Sequence, residues 1–263
     1  MQLLKDKHIV IIGGTAGIGL SAAKSFVAEG AKLVIVGKEE MEKEDAGYEL
    51  LNSSVTIIGD AAREETAQQA VDTCIKNFGS FYGLYHVAGG SGRKMGDGPL
   101  HELSLEGWNK TFELNLTSLM LSNRAAVKQF LKQGNGGTIL NISSVLGYSP
   151  APGYFATHAY AAAKSAVTGF SKSIAAYYAK DNIRVNVLAP GLIQTPMSKR
   201  AAGDEQILSY IQTKQPLDGG RIGQPADLDG LAVYFMSDQS GFTTGQVVAV
   251  DGGWSVSEGR FDL

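Results

Sequence analysis

Ile139-Leu140-Asn141-Ile142-Ser143-Ser144 is followed by a Gly/Pro-rich loop and then by Tyr160-Ala161-Ala162-Ala163-Lys164 at the head of an Ala-rich helical pattern. An apolar run ending in hydroxyls, a loop, then a helix is how a strand delivers polar groups to the edge of a sheet. Residues four apart share a helical face, so the Tyr160 phenol and the Lys164 ammonium project to one side, about 6 Å apart at their Cβ atoms. A free phenol titrates near ~10. A fixed cation beside it favours the phenolate and makes Tyr160 a candidate proton donor and acceptor closer to neutral pH. A hydroxyl from the preceding strand, Ser143 or Ser144, is placed to hold a substrate oxygen against that phenol. The alternative is a surface Tyr and Lys on an ordinary helix, and the rest of the chain has to choose.

Composition narrows the classes. At 263 residues, 44% hydrophobic and 19% charged, the chain is long enough for one large domain with a real core. A net charge of -3 with both signs scattered gives no basic stripe for nucleic acid and no polybasic membrane anchor. The single cysteine, Cys74, excludes an internal disulfide and a Cys-based metal cluster, and it reads as a helix residue facing the core. No metal site is expected. No apolar run reaches the ~18 residues that span a bilayer, and Met1 to Lys7 lacks a signal-peptide core, which together point to the cytoplasm.

Outward from the opening stretch, strands and helices alternate. His8 to Ile12 reads as a strand entering Gly13-Gly14-Thr15-Ala16-Gly17-Ile18-Gly19, followed by a helix with Leu20, Ala23, Phe26 and Val27 on one face until Gly30. Glycines let a turn approach a ligand and take φ > 0, and the free N–H groups at the helix start attract a phosphate. The spacing, Gly-x-x-x-Gly-x-Gly, differs from the Gly-x-Gly-x-x-Gly of the commonest dinucleotide fingerprint. A tight turn with no ligand is the alternative.

Leu33 to Val36 is a second strand ending at Gly37-Lys38. A dinucleotide domain often has an acid there for the ribose 2′-OH of NAD. Gly37 with Lys38 beside it suits the 2′-phosphate of NADP instead, with NAD as the alternative. Glu39-Glu40 either repel that phosphate or favour the start of the next helix. Val55 to Gly59 reads as a strand, Glu64 to Phe78 as an amphipathic helix and Leu84 to Ala88 as a strand opening into Gly89-Gly90-Ser91-Gly92. Asp60 either accepts from the adenine amino group or caps the helix after it. The segment from Gly92 to Pro99, cationic at Arg93 and Lys94, is either a mobile substrate-side loop or a solvated connection. A long helix is expected from Leu105 to Lys132 with Asn115 in its apolar middle, where a buried amide must be hydrogen-bonded. It either bends the helix around a water or serves a proton path. Gly137 to Ser143 is the fifth strand and Arg184 to Leu188 the sixth, ending Ala189-Pro190-Gly191. Leu192 to Pro216 is an insertion placed to cover a site, Pro225 to Ser237 a last helix and Gly245 to Val250 a last strand. No linker divides the chain. The expected fold is α/β: residues 1–263 as one Rossmann-like doubly wound domain, with a mainly parallel seven-stranded sheet and helices on both faces.

Taken jointly, Gly13-x-x-x-Gly17-Ile18-Gly19, Asn115, Ser144, Tyr160-x-x-x-Lys164, Asn186 with Pro190-Gly191, and the closing Thr244-Gly245-Gln246 to Asp251-Gly252-Gly253 resemble the short-chain dehydrogenase/reductase family over essentially the whole length. The resemblance implies an NAD(P)-dependent oxidoreductase that interconverts a carbonyl and a secondary alcohol. Tyr160 would be the general acid/base, Ser144 the substrate-orienting serine, and Lys164 the group that binds the nicotinamide ribose and lowers the Tyr160 pKa. Asn115 would hold a water linking Lys164 to solvent. The implied cofactor contacts are Gly13, Thr15, Gly17, Ile18, Gly19, Lys38, Asp60, Ala61, Ala88, Gly89, Tyr160, Lys164, Pro190 and Gly191, with Ile193 and Thr195 on the nicotinamide carboxamide.

The sequence departs from the family pattern in three places. Ile12 stands where the family usually has Thr. His86-Val87-Ala88-Gly89 replaces Asn-Asn-Ala-Gly, so the asparagine that braces the central sheet is missing. The loop between Ser144 and Tyr160 is longer than usual by a few residues, and within it Tyr154 and His158 are candidate substrate contacts; His158, two residues before the helix, could equally pack or cap. Two alternatives stand beside the dehydrogenase: a catalytically silent NADP-sensing regulator on the same fold, and enoyl reductase or epimerase chemistry. The partner is a small carbonyl or alcohol, with the loops at 91–99, 145–158 and 192–216 choosing it. Assembly as a homotetramer or homodimer is expected by resemblance only.

Overall fold

The computed structural model of the chain describes residues 2–41 and 47–259. Its strands are β1 (His8–Ile12), β2 (Lys32–Gly37), β3 (Ser54–Ile58), β4 (Gly83–His86), β5 (Gly137–Ile142), β6 (Ile183–Pro190) and β7 (Val247–Val250). They form one seven-stranded sheet in the order β3-β2-β1-β4-β5-β6-β7, and every neighbouring pair is parallel.

Alternation along each strand builds two cores. Ile9 and Ile11 of β1, with Leu33 and Ile35 of β2, pack on one face against Leu20, Ala23 and Phe26 of α1 (Gly17–Ala28) and Phe235 and Met236 of α9 (Asp229–Met236). Val10, Ile12, Val34 and Val36 point the other way. They meet Ala70, Val71 and Cys74 of α3 (Glu64–Phe78), Ala126 and Phe130 of α5 (Ser118–Gln133) and Ala175 of α6 (His158–Tyr178). The inner positions of β1 (Ile9 to Ile12) and β2 (Leu33 to Val36) are all apolar because both faces are covered. Trimming a fully buried Ile such as Ile9 or Ile11 to Ala would cost about 2–5 kcal/mol.

The strand order reverses between β1 and β4, which opens a crevice at their carboxyl ends. There Gly13 and Gly14 donate to the Val36 carbonyl at 2.8 and 3.0 Å, and Val87 and Ala88 both donate to Ile12 at 2.8 Å. The glycine turn after β1 and the Ala88-Gly89 turn after β4 are thus locked to the strand ends. Gly13 has φ +87°, and a Cβ on it would lie 2.6 Å from the Ala88 nitrogen, so only glycine fits.

Several expected boundaries move. The long helix is interrupted: α4 (Leu105–Phe112) passes into a widened π-turn at Glu113–Thr117 before α5 begins. Asn115 lies in that turn, and its Nδ2 donates 2.8 Å to the Thr111 carbonyl, taking the i−4 acceptor that a regular helix gives to the backbone. The helix expected over Pro225–Ser237 is a 3-10 turn at Pro225–Leu228 followed by α9. The last strand starts at Val247, not Gly245. Glu39 and Glu40 open no helix among the described residues, whose next one is the short α2 (Tyr48–Ser53); residues 42–46 lie outside the description. The segment after β6 carries the short α7 (Lys199–Ala202) and α8 (Glu205–Lys214). Among the described residues no helix is long and apolar enough to cross a membrane.

Candidate active site

The crevice is a cavity of about 970 Å³. Gly13, Thr15, Gly17, Ile18, Lys38, Asp60, Ala61, Ala88 and Gly89 line it, as do Pro190, Gly191, Ile193 and Thr195 from the β6 end. Ser144, Tyr160 and Lys164 line it too. The sequence-predicted residues therefore come together, apart from Gly19, Asn115, Tyr154 and His158, which lie behind or beside its wall. Gly19 packs under the turn, where a Cβ would sit 2.1 Å from the Gly13 carbonyl oxygen.

At the glycine end, the N-cap of α1 is Ala16, which has no side-chain cap, and the first turn carries no acid. Free N–H groups at the positive end of a helix dipole, facing a cavity, fit a pyrophosphate. Lys38 and Asp60 reach the rim from the ends of β2 and β3 and pair with each other at 3.2 Å. Asp60 Oδ1 also accepts from the Ala62 N–H at 2.9 Å. The backbone bond chiefly, and Lys38 secondarily, hold its carboxyl below the usual carboxylate range. Asp60 does not cap α3, whose N-cap is Arg63 with no side-chain bond.

At the other end the two serines part company. The Ser143 hydroxyl donates 2.7 Å to the Lys164 carbonyl, so it ties β5 to α6. Ser144, the N-cap of a 3-10 turn, accepts from Leu146 N–H at 3.2 Å and touches the Tyr160 phenol. Lys164 is 3% exposed; its Nζ donates 3.0 Å to the Ile142 carbonyl and sits 5.6 Å from the centre of the Tyr160 ring. Burial pushes the Lys164 ammonium down to about 8. Burial also pushes the Tyr160 phenol up to about 12, against a smaller opposing effect of the Ser144 hydroxyl. The expected lowering of the Tyr160 pKa is therefore not met by these side chains alone: removing a phenolate from water outweighs what the site supplies.

Asn115 is fully buried, and both of its side-chain N–H groups are committed, one to Thr111 and one to the Gly90 carbonyl at 2.8 Å. Its Oδ1 accepts from Gly90 N–H at 3.2 Å. A Cβ on Gly89 would lie 2.7 Å from Asn115 Oδ1 and 3.4 Å from Lys164 Nζ, so the amide and the ammonium flank that glycine closely. Among the described residues no group of His, Cys, Asp and Glu gathers to hold a metal ion.

Known proteins resemble this chain over nearly its whole length. The family model described as Enoyl-(Acyl carrier protein) reductase matches residues 13–255. The 2,5-dichloro-2,5-cyclohexadiene-1,4-diol dehydrogenase LinX of Sphingobium indicum is 35% identical over 260 residues, covering 96% of this chain and 98% of LinX. The NADP-dependent (R)-specific alcohol dehydrogenase of Lentilactobacillus kefiri is 36% identical over 256 residues, with 96% and 98% covered. A short-chain type dehydrogenase/reductase from Mycobacterium ulcerans superimposes with a TM-score of 0.88 at 30% identity, over 97% of this chain and 92% of that one. The chain belongs to the short-chain dehydrogenase/reductase family. It is an NAD(P)-dependent oxidoreductase of one Rossmann-like domain.

Where this short-chain dehydrogenase/reductase departs from the family's Asn-Asn-Ala-Gly, the missing brace is replaced. His86 is 1% exposed; its Nε2 lies 3.1 Å from the Ala88 carbonyl and its Nδ1 2.8 Å from Ser122 Oγ. Burial, and then the Lys164 charge, push its pKa down to about 3, so the ring is neutral. Nε2–H then donates to Ala88 while Nδ1 accepts from Ser122, which ties the β4 turn to α5.

Asp97 is a site residue that sequence reasoning misses. Its Oδ1 accepts from Ala159 N–H and its Oδ2 from Tyr160 N–H, each at 3.0 Å, and it is 4% exposed. The 92–99 segment is thus an anchored wall that caps the tyrosine helix from outside. A lone Asp between two glycines offers no local cue to a contact 62 positions away. The two substrate candidates also change. His158 is the first residue of α6 and exposed, while the Tyr154 ring packs 5.1 Å from Tyr210, off the cavity. Their neighbours Phe155 and Thr157 line the cavity in their place, together with Val145, Leu146 and Trp254. Trp254 donates to the Ser149 carbonyl at 3.1 Å and meets Phe155 edge-on at 5.6 Å, which fixes the long loop against the C-terminal turn.

Proposed function

We propose that the chain interconverts a carbonyl and a secondary alcohol with NADP, and that Tyr160 moves the proton. The observation that carries this reading is the convergence of Ser144, Tyr160 and Lys164 on one cavity whose other end is the uncapped start of α1. A nicotinamide cofactor seated there supplies the hydride and, when oxidised, a second positive charge. Ser144 holds the substrate oxygen beside the phenol. In reduction, the Tyr160 hydroxyl gives its proton to the oxygen as the alkoxide develops, and the phenolate left behind is held by the Lys164 ammonium; in oxidation the same proton returns. With Lys164 in place, burial still holds the phenol up near 12, so the charge of the oxidised cofactor is what would carry it lower. Asn115 acts by holding the π-turn against Gly90, and a water between it and Lys164 would use the Asn115 carbonyl oxygens.

The NADP assignment rests on Gly37 and Lys38 at the end of β2, and the named cofactor of the Lentilactobacillus relative supports it. Exposed Leu105 and Trp108 on α4 and Tyr177 on α6 leave apolar surface that a homodimer or homotetramer would cover. The test is NADPH and NADH consumption with a panel of ketones, aldehydes and one enoyl thioester. Turnover of the carbonyls with NADPH supports the reading. Turnover of the thioester alone would favour the enoyl reduction that the matched family's description names, and tight NADPH binding without turnover of anything would favour a cofactor sensor.

A further inference from the structure

The cavity lining carries six cationic side chains, Lys38, Arg93, Lys94, Lys164, Lys199 and Arg200, and one carboxylate, Asp60. Lys38 is paired with Asp60 and Lys164 belongs to the tyrosine site. Arg93 and Arg200 are different. Neither forms an ion pair among the described residues, and Arg200 makes no side-chain hydrogen bond there. Both are exposed residues on the wall of the same cavity, and partial desolvation first, and the Arg200 charge second, hold the Arg93 guanidinium below its ordinary value.

Arg93 Nη2 reaches the Tyr154 carbonyl at 3.5 Å, so it stands against the loop between Ser144 and Tyr160. Arg200 precedes Ala201, which is 4% exposed and packs in one cluster with Val145 and Trp254. Both backbones are fixed. Ser91 Oγ accepts from Arg93 N–H, Gly92 packs so closely on Thr111 that no Cβ fits, and Asp97 pins the loop to α6. The Asp97 carboxylate favours the Arg93 charge, but less than Arg200 opposes it, and among the described residues it forms no ion pair with either arginine.

Two guanidinium groups that share one cavity wall and feel each other's charge favour an anion there, and their planar forks match a carboxylate in particular. Below them the wall is Val145, Leu146, Phe155 and Trp254, which suits an apolar body. We propose that the substrate is an acid: an apolar alcohol or ketone whose carboxylate, or an equivalent anionic group, binds between Arg93 and Arg200 while its oxygen reaches Ser144 and Tyr160. This rests on the oxidoreductase reading above for which atom reacts, and on the cavity alone for the anion.

The test uses the full chain and two neutral-bodied probes, 4-phenylbutanoate and 4-phenylbutanamide, titrated by calorimetry. The carboxylate should bind about tenfold tighter than the amide, and Arg93→Gln with Arg200→Gln should abolish the difference while the NADPH dissociation constant stays within about twofold. Equal binding of the two probes, no binding of either, or a preference that survives in the double variant overturns the proposal. So does a large loss of NADPH affinity with the preference intact, since the arginines would then serve a cofactor phosphate. Failure of the oxidoreductase reading looks different: no carbonyl compound is turned over, while the carboxylate preference and its loss in the double variant remain and support the anion site.

Discussion

Asp97 binds the backbone N–H of Tyr160 with one carboxylate oxygen and that of Ala159 with the other, so the helix that carries the proposed acid is capped from a loop 63 positions upstream of Tyr160. A helix needs its first N–H groups satisfied, and α6 has no side-chain cap at its own N-cap, Thr157. The phenol is therefore aimed partly by a residue that touches no reacting atom.

Asp97→Ala leaves two buried donors unpaired and should cost about 1–3 kcal/mol of stability in urea unfolding. Turnover should fall on the order of tenfold to a hundredfold with NADPH affinity nearly unchanged, because misplacement of a reacting group by fractions of an ångström is costly. Asp97→Asn keeps one acceptor and should recover part of both losses. A kcat identical to that of the unsubstituted chain in Asp97→Ala would show that the cap does not aim Tyr160.

Lys164 gives a pH dependence of defined sign. Its folded pKa, about 8, lies below the ordinary lysine value of about 10.4, so between these the unfolded chain binds more protons than the folded one. Lys164 thus contributes stability that is present above about pH 10 and is lost as pH falls through about 8. The difference in unfolding free energy between the unsubstituted chain and Lys164→Met should grow by a few kcal/mol from pH 7 to pH 10. Tyr160, whose folded pKa is raised, contributes in the opposite sense: its share is full below about pH 10 and lost as pH rises through about 12. Restricting the urea series to pH 10 and below keeps the two apart. A difference that is flat or shrinks with pH contradicts a desolvated Lys164.

Cofactor choice turns on Gly37 and Thr15. A Cβ on Gly37 would lie 2.1 Å from Thr15 Oγ1, so Gly37→Asp alone should impair binding of both cofactors. Adding Thr15→Gly clears that contact, and the pair should then favour NADH, as the new carboxylate accepts from a ribose 2′-OH and repels a 2′-phosphate. Fluorescence titration of both reduced cofactors reads this directly. Unchanged NADPH affinity in Gly37→Asp would place the 2′-phosphate elsewhere.

The fold was legible in the chain because the strands announce themselves as apolar runs ending in glycine turns, and the helices between them as 3.6-periodic faces. The site was legible where chemistry and spacing are local: Tyr160 and Lys164 on one helix face, and glycines where a backbone must come close. It was not legible where the contact crosses the fold. Asn115 sits in a stretch with ordinary helical periodicity, and only its side-chain bond to Thr111 marks the π-turn. His86 looked like a lost brace, because the Ser122 that completes it lies on another helix. Between Ser144 and Tyr160 the sequence has no periodicity to tell which side chain turns inward; Phe155 and Thr157 line the cavity, and Tyr154 and His158 do not. Trp254 lies almost a hundred residues after that loop and still closes its floor.

The central claim is that the Tyr160 hydroxyl moves the proton. Tyr160→Phe removes one oxygen from a ring whose place is fixed by the backbone bond to Asp97, so the variant should fold and bind NADPH nearly as the unsubstituted chain does. NADPH-dependent reduction of whichever carbonyl the panel identifies should then fall by at least 10²–10⁴-fold, the range for loss of a positioned general acid. Turnover within a few-fold of the unsubstituted rate, with NADPH binding intact, would contradict the account.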